Sequence, residues 1–101
     1  MGIQASFTTV KSGEISGSVT AKQLPTIACS RVRLKAAASN AGNVYLGAAG
    51  VTAPDGTQDA TTGFELDAAE ESPWLDIDNL DRLYIICDNA GDDLVYIALD
   101  D

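Results

Sequence analysis

The 101-residue sequence contains no histidine, only six lysines and arginines, and few aromatic residues. Histidine is the one side chain that titrates near neutral pH without perturbation, so its absence excludes Ser-His-Asp and Cys-His catalysis and disfavours transition-metal binding. Fifteen aspartates and glutamates give a formal net charge of -9, which repels phosphate backbones and anionic membranes. We therefore expect no enzymatic activity, no cofactor, no nucleic-acid partner and no membrane partner.

The sequence also lacks a long apolar run and a cysteine-rich framework. Without such a run no transmembrane segment is predicted, and the first residues, M-G-I-Q-A-S-F, do not have the pattern of a secretion signal. The two cysteines, Cys29 and Cys87, are each flanked by strand-like residues, which indicates small buried side chains. A disulfide between neighbouring strands stays open as an alternative. We expect a protein made in a reducing cytoplasm.

Short apolar segments separated by turn residues make up most of the chain. Apolar alternation or short apolar runs predict strands at residues 3–11, 15–24, 27–38, 44–47, 63–66, 74–77, 83–87 and 94–99. Residues 51–62 contain P-D-G and little apolar content, which predicts an exposed loop. No segment has a sustained helical period. The pattern predicts one domain over residues 1–101, an all-β, small antiparallel β-sandwich of jelly-roll type with seven or eight short strands.

The last two predicted strands are the most apolar part of the chain. Residues 83–87 read L-Y-I-I-C and residues 94–99 read L-V-Y-I-A-L, with D-N-A-G-D-D between them. Turn-forming residues between two strands favour a β-hairpin, which we expect here. In the second strand, period two separates positions 95, 97 and 99 from positions 96 and 98. We predict a core that contains Leu83, Ile85, Val95, Ile97, Leu99, Val32, Leu34, Val44 and Leu46.

Half of the basic residues lie on one predicted strand. Arg31, Arg33 and Lys35 alternate with apolar residues, so that all three point to the same side. One interpretation is a solvated face that the chain's own carboxylates balance. The other is a cationic stripe that contacts an acidic partner or a neighbouring copy. We take these three residues as the candidate partner contacts, and we expect a homo-oligomer because copies of charge -9 would otherwise repel one another.

Three further groups of residues carry weaker signals. D-I-D-N-L-D at 76–81 has the alternating carboxylates of a calcium loop, but it lacks the glycine and the glutamate that such a loop needs at its sixth and twelfth positions. We therefore assign no metal site. Paired carboxylates leave a small hydrolase open as an alternative. Trp74, Tyr45, Tyr84 and Tyr96 either form a glycan or protein contact surface or belong partly to the core.

Four motifs occur in a fixed order along residues 24–99. They are L-P-x-I-A-C at 24–29, N-V-Y-L-G at 43–47, G-V-T at 50–52, and L-D-I-D-N-L-D-R-L-Y-I at 75–85. In this order and spacing they resemble a recurrent kind of small tailed-bacteriophage virion protein. The sequence departs from that kind in its acidic segment at 67–71 and in its short N-terminal part.

The resemblance implies the function and the partners that we expect. It implies a non-enzymatic virion structural protein of the capsid decoration (cement) or head-fibre-base kind, which stabilises the shell of major capsid protein from the capsid surface. It favours a trimer over a dimer, because many decoration proteins sit at local three-fold positions. One rival is a tail-associated or receptor- or glycan-binding β module, and the other is the carboxylate-dependent hydrolase. The protein would be made in the host cytoplasm.

Overall fold

Nearly all regular structure in this protein is β-strand. The computed structural model describes residues 9–53 and 62–101, and its strands pair antiparallel throughout. In chain order the elements are β1 (Thr9–Ser16), β2 (Lys22–Gln23), β3 (Arg31–Ala36), β4 (Val44–Gly47), β5 (Phe64–Leu66), a 3-10 helix (Leu80–Arg82), β6 (Tyr84–Cys87) and β7 (Asp93–Asp100). Among the described residues, no helix is long and apolar enough to cross a membrane.

The strands form two sheets, one in the order β1-β7-β3 and the other in the order β2-β6-β4-β5. The 69–75 segment continues the first sheet beyond β3. Val32 and Leu75 exchange backbone hydrogen bonds of 2.9 and 2.8 Å, and the Ser72 N–H donates to the Leu34 carbonyl. Once the 69–75 segment is counted as a strand of the first sheet, every connection except that from β4 to β5 passes from one sheet to the other. With the 69–75 segment as an eighth strand, this is a jelly roll, and the predicted antiparallel sandwich is confirmed.

The hydrophobic core fills the space between the two sheets. Its buried members are Ile15, Leu24, Cys29, Val32, Leu34, Ala36, Val44, Leu46, Leu66, Leu80, Ile85, Cys87, Leu94 and Ala98. The core prediction is confirmed for Val32, Leu34, Val44, Leu46 and Ile85, all of which are buried. The predicted core residue on the approach to β6, at position 83, is half-buried and packs against this cluster.

On β7 the core prediction is wrong, because the buried side is the opposite one. Leu94 and Ala98 are fully buried, whereas Ile97 is 39% exposed and Val95 and Leu99 are half-buried. The cause is the pairing with β3, whose buried residues lie directly opposite positions 94, 96 and 98. Directly opposite residues of two paired strands point to the same side of the sheet. The register with β3 therefore turns positions 95, 97 and 99 away from the core.

The predicted β-hairpin between the last two strands is also wrong. β6 pairs with β2 and β4, whereas β7 pairs with β1 and β3 in the other sheet. The apolar faces of β6 and β7 thus oppose each other across the core and are not joined by hydrogen bonds. Turn residues between two apolar runs indicate that the chain reverses its direction. They do not decide whether the second run enters the same sheet.

A buried carboxylate holds the connection from β6 to β7 in place. Asp92 is 3% exposed, and its two oxygens accept hydrogen bonds of 2.9 Å from the backbone N–H groups of Ala41 and Gly42. The hydrogen bonds from Ala41 and Gly42 hold the pKa of Asp92 below its ordinary value. Beside it, Asn40 exchanges two hydrogen bonds of 2.8 Å with the backbone of Asp93. The connections β3–β4 and β6–β7 are therefore joined at one end of the sandwich.

β1 differs from the strand predicted at 3–11. Residues 3–8 lie outside the described residues, and β1 continues through Ser12 and Gly13, where we expected a break. Gly13 lies directly opposite Tyr96, and a Cβ atom at position 13 would lie only 3.0 Å from the Tyr96 hydroxyl oxygen. The ring of Tyr96 thus covers the backbone of Gly13. This contact stabilises the strand at a residue whose low strand propensity would otherwise interrupt it.

Several predicted strands are shorter in the structure. Within residues 17–24 only Lys22–Gln23 forms a strand, and within residues 27–38 only Arg31–Ala36 does. The strands predicted at 44–47 and 63–66 are present as β4 and β5. Residues 74–77 join the first sheet through a single bridge at Leu75. The predicted loop at 51–62 lies largely outside the described residues.

Candidate functional site

The three candidate contact residues, Arg31, Arg33 and Lys35, lie on the outer face of the three-stranded sheet. β3 buries Val32, Leu34 and Ala36 completely on its other side. This strict alternation is the one that the sequence predicts. Because the three basic side chains are about 7 Å apart along the strand, they form one continuous cationic row.

The neighbouring strands complete this surface, which we call the outer face. It consists of Val10, Ser12, Glu14, Val95, Ile97, Leu99, Arg31, Arg33 and Lys35. The strand register arranges these residues in three rows across the sheet. The rows are Glu14–Val95–Lys35, Ser12–Ile97–Arg33 and Val10–Leu99–Arg31. Each row thus leads from β1 through an apolar residue on β7 to a cation on β3.

The centre and one corner of the outer face are apolar and accessible. Val10 is 65% exposed and Ile97 is 39% exposed, and both flank Leu99, which is directly opposite Val10. Single exposed apolar residues are common on soluble proteins, but contiguous ones mark contact surfaces. The three β7 residues for which the core prediction is wrong, Val95, Ile97 and Leu99, therefore belong to the candidate site.

Two of the three basic residues already have partners within the chain. Arg31 pairs with Asp76 at 3.0 Å, and Arg33 pairs with Glu71 at 3.3 Å. These ion pairs are exposed, and each such pair contributes only about 0 to 1 kcal/mol. For the two arginines, the structure thus supports the interpretation in which the chain's own carboxylates balance the row.

Trp74 lies between the two arginines and was not among the predicted contacts of the basic row. The guanidinium carbons of Arg31 and Arg33 are 5.6 and 5.8 Å from the centroid of the Trp74 ring. At this distance the cations interact with the face of the ring. The tryptophan reaches the arginines because the 69–75 segment pairs with β3. That pairing between distant parts of the chain leaves no local signal in the sequence.

Lys35 and Glu14 are the two charged residues of the outer face that have no ion-pair partner in the part of the chain that the structure describes. A groove of about 160 Å³ is lined by Lys35, Arg33, Val95 and Ile97 and by Glu71, the bridge partner of Lys35, whose carboxylate pairs with Arg33. Lys35 and Glu14 stand at opposite ends of the same row, with Val95 between them. Their charges are therefore available to a molecule that packs against the face.

The four aromatic residues that the sequence offered as a glycan surface do not come together. Trp74 stacks on the arginines of the outer face, and Tyr96 packs against the core. Tyr45 and Tyr84 belong to the other sheet, where Tyr45 is buried and its hydroxyl donates to a carboxylate oxygen of Asp88 at 3.1 Å. The part of the chain that the structure describes thus presents no joint surface of these four rings.

The carboxylates at 76–81 point to separate partners. Asp76 binds Arg31, Asp81 accepts a hydrogen bond of 3.1 Å from the Thr26 hydroxyl, and Asp78 pairs with Arg82. The hydrogen bond from Arg82 lowers the pKa of Asp78, whereas a carboxylic general acid needs a raised pKa. Within residues 9–53 and 62–101, no three Cys, Asp or Glu side chains are grouped so as to hold a metal ion.

Both cysteines are free and buried, so the disulfide that the sequence left open does not form. Burial raises the pKa of both thiols, and the negative charge of Asp100 adds to the effect at Cys29. The Cys29 Sγ donates a hydrogen bond of 3.3 Å to the Ile77 carbonyl. Since the thiolate is the reactive form, burial and the raised pKa make both thiols poor nucleophiles in the folded protein.

No protein-family model, no curated protein and no solved structure matches this chain.

Proposed function

We propose that this chain is a non-enzymatic structural protein of a tailed-bacteriophage particle, a decoration protein that binds as a small oligomer to the major capsid protein. The observation that carries the proposal is the outer face. There, exposed Ile97 lies beside a row of three cations and exposed Val10 lies at the far edge of the same sheet, in a protein of net charge -9. Such a surface suits contact with proteins, because buried apolar area supplies affinity and charge selects the partner.

The phage assignment is supported by the motifs at 24–29, 43–47, 50–52 and 75–85. Several of their residues, among them Cys29, Val44 and Ile85, belong to the core, so the resemblance bears on the fold as well as on the function. The jelly roll is consistent with it, since viral capsid proteins use this architecture, although lectins and cupins use it too.

The proposed mode of action is stabilisation by mass action. A protein that binds the assembled shell and not its separate subunits lowers the free energy of the assembled form. No reacting group is needed for this effect, and its size depends on the number of bound copies and on their affinity.

Locating the protein tests the proposal. Particles produced from the genome that carries the gene would be purified and analysed by mass spectrometry and by immunogold labelling. We expect the label on the heads, in many copies, and recombinant protein should bind to heads that lack it. Label on the tails would replace the proposal by the tail-associated module, and absence from the particles would refute a virion role altogether.

A further inference from the structure

We infer that the outer face is a dimerisation surface, against which the outer face of a second copy of this chain packs. The two copies are related by a two-fold axis that is parallel to β7 and lies midway between the two faces. The reason is that the face is complementary to itself. Its two charges without an ion-pair partner among the described residues, Glu14 and Lys35, have opposite signs and lie at opposite ends of one row. Between them lies the apolar residue Val95.

The register determines what such an axis brings together. A two-fold rotation about this axis keeps each row at its position along the strand direction. It places the β1 side of one copy over the β3 side of the other. Glu14 of one copy then faces Lys35 of the other copy, and the reverse contact is made at the symmetry-related place. In the other two rows, the uncharged residues Ser12 and Val10 of one copy face Arg33 and Arg31 of the other.

The apolar residues of β7 lie directly beneath the proposed axis in each copy. Val95, Ile97 and Leu99 of one copy face the same residues of the other, as in two sheets that pack about 10 Å apart. This contact would cover Ile97, which is 39% exposed in the single chain.

Other arrangements do not use this complementarity. A two-fold axis across the strands would stack β3 on β3 and bring Arg31 of one copy over Lys35 of the other, so that like charges repel. A trimer, which the resemblance favours, joins two different surfaces of each copy and leaves the symmetry of the charges unused. The face therefore favours a pair.

The size of the face indicates that the pair is weak. Three strands about 4.8 Å apart, over six residues of about 3.3 Å each, cover roughly 300 Å². A stable interface buries about 800 Å² on each partner. We therefore expect a weak, transient dimer, which forms where copies are concentrated and dissociates on dilution.

The inference deepens the oligomeric part of the proposed function, but its test uses purified protein in the absence of phage particles. The dimer can therefore be refuted while attachment to the capsid holds, and attachment to the capsid can be refuted while the dimer holds.

Charge exchange between Glu14 and Lys35 is the test, with self-association measured by sedimentation equilibrium. Glu14→Lys and Lys35→Glu should each weaken self-association roughly tenfold, because two facing pairs become repulsive. An equimolar mixture of the two variants should associate as the wild type does, since each variant offers the charge that the other lacks. The variant that carries both substitutions should also recover wild-type association.

Two further variants separate this contact from general charge effects. Glu65→Lys makes the same charge change as Glu14→Lys at an exposed position of β5 in the other sheet, and it should leave association unchanged. Ile97→Lys should abolish association, because it brings two cations together at the axis. The inference is overturned if the wild type is monomeric up to about 1 mM, if it forms trimers, or if the folded single variants do not associate when mixed.

Discussion

Replacing Asp92 with alanine should destabilise the sandwich more than any other single removal of a carboxylate among the described residues. Asp92 accepts the N–H groups of Ala41 and Gly42 at 2.9 Å each and is almost completely buried. These hydrogen bonds join the β6–β7 connection to the β3–β4 connection. Without the carboxylate, the two N–H groups lose their acceptor and the two connections lose this link.

The expected cost follows from the number and type of these hydrogen bonds. A hydrogen bond to a charged group contributes about 1.5 to 3 kcal/mol, and part of that is regained where water reaches the freed N–H groups. Ala41 is exposed, so we expect a net loss of about 2 to 4 kcal/mol in the free energy of unfolding. Asp92→Asn keeps one acceptor oxygen and should lose about half as much.

The effect should depend on pH in a defined direction. The pKa of Asp92 is lowered in the folded protein, mainly by the hydrogen bond from Ala41. A lowered folded-state pKa stabilises the protein at pH values above the unfolded-state pKa, and this contribution is lost as the pH falls through the folded-state pKa. The difference between wild type and Asp92→Ala should thus be full at about pH 6 and should shrink below about pH 4.

Urea denaturation followed by Trp74 fluorescence at a series of pH values measures both quantities. Asp67→Ala removes an exposed carboxylate and serves as the matched control, with a change within about 0.5 kcal/mol. A loss for Asp92→Ala of less than about 1 kcal/mol, or a loss that stays the same at pH 3, would refute the role assigned to this carboxylate.

Three other substitutions or reactions test the packing. Gly13→Val should lower the free energy of unfolding by about 1 to 3 kcal/mol, because its side chain would collide with the ring of Tyr96 opposite; thermal unfolding measures the loss. Cys29 and Cys87 should react with a thiol reagent only as the protein unfolds, and rapid labelling of the native protein would contradict their burial. Trp74→Ala should cost about 1 to 2 kcal/mol in urea denaturation through the loss of two cation–π contacts, with an unchanged far-ultraviolet circular dichroism spectrum.

The parts of the fold that could be predicted are those that one strand specifies by itself. β3 shows a strict alternation of basic and apolar residues, so its buried side and its outward side follow from the sequence. The run V-Y-L-G of β4 is bounded by turn residues on both sides and has the predicted limits.

The parts that could not be predicted depend on which strands become neighbours. β7 is apolar on both sides, and only its pairing with β3 decides that Leu94 and Ala98 face the core. The linker at 88–92 is equally compatible with a hairpin and with a crossing between sheets. Gly13 interrupts a strand pattern unless a ring such as that of Tyr96 lies opposite, and the sequence does not reveal that neighbour.

The candidate site was predictable to a similar extent. The basic row is visible in the sequence because it lies on one strand. The sequence pattern predicts the apolar row of β7 in the core, and Glu14 and Trp74 reach this surface only through pairings between distant segments. The self-complementarity of the outer face is thus a property of the register and not of any local motif.

The position of β7 in the middle of its sheet has a consequence for the synthesis of the protein. β1 and β3 pair with β7 and not with each other, although both precede it by more than half of the chain. When the ribosome translates residues 93–100, all strands of the other sheet have been synthesised, but the first sheet still lacks the strand that joins its two halves. That sheet can therefore close only after this segment has emerged, and a chain released before that point would expose the edges of β1 and β3 to other chains.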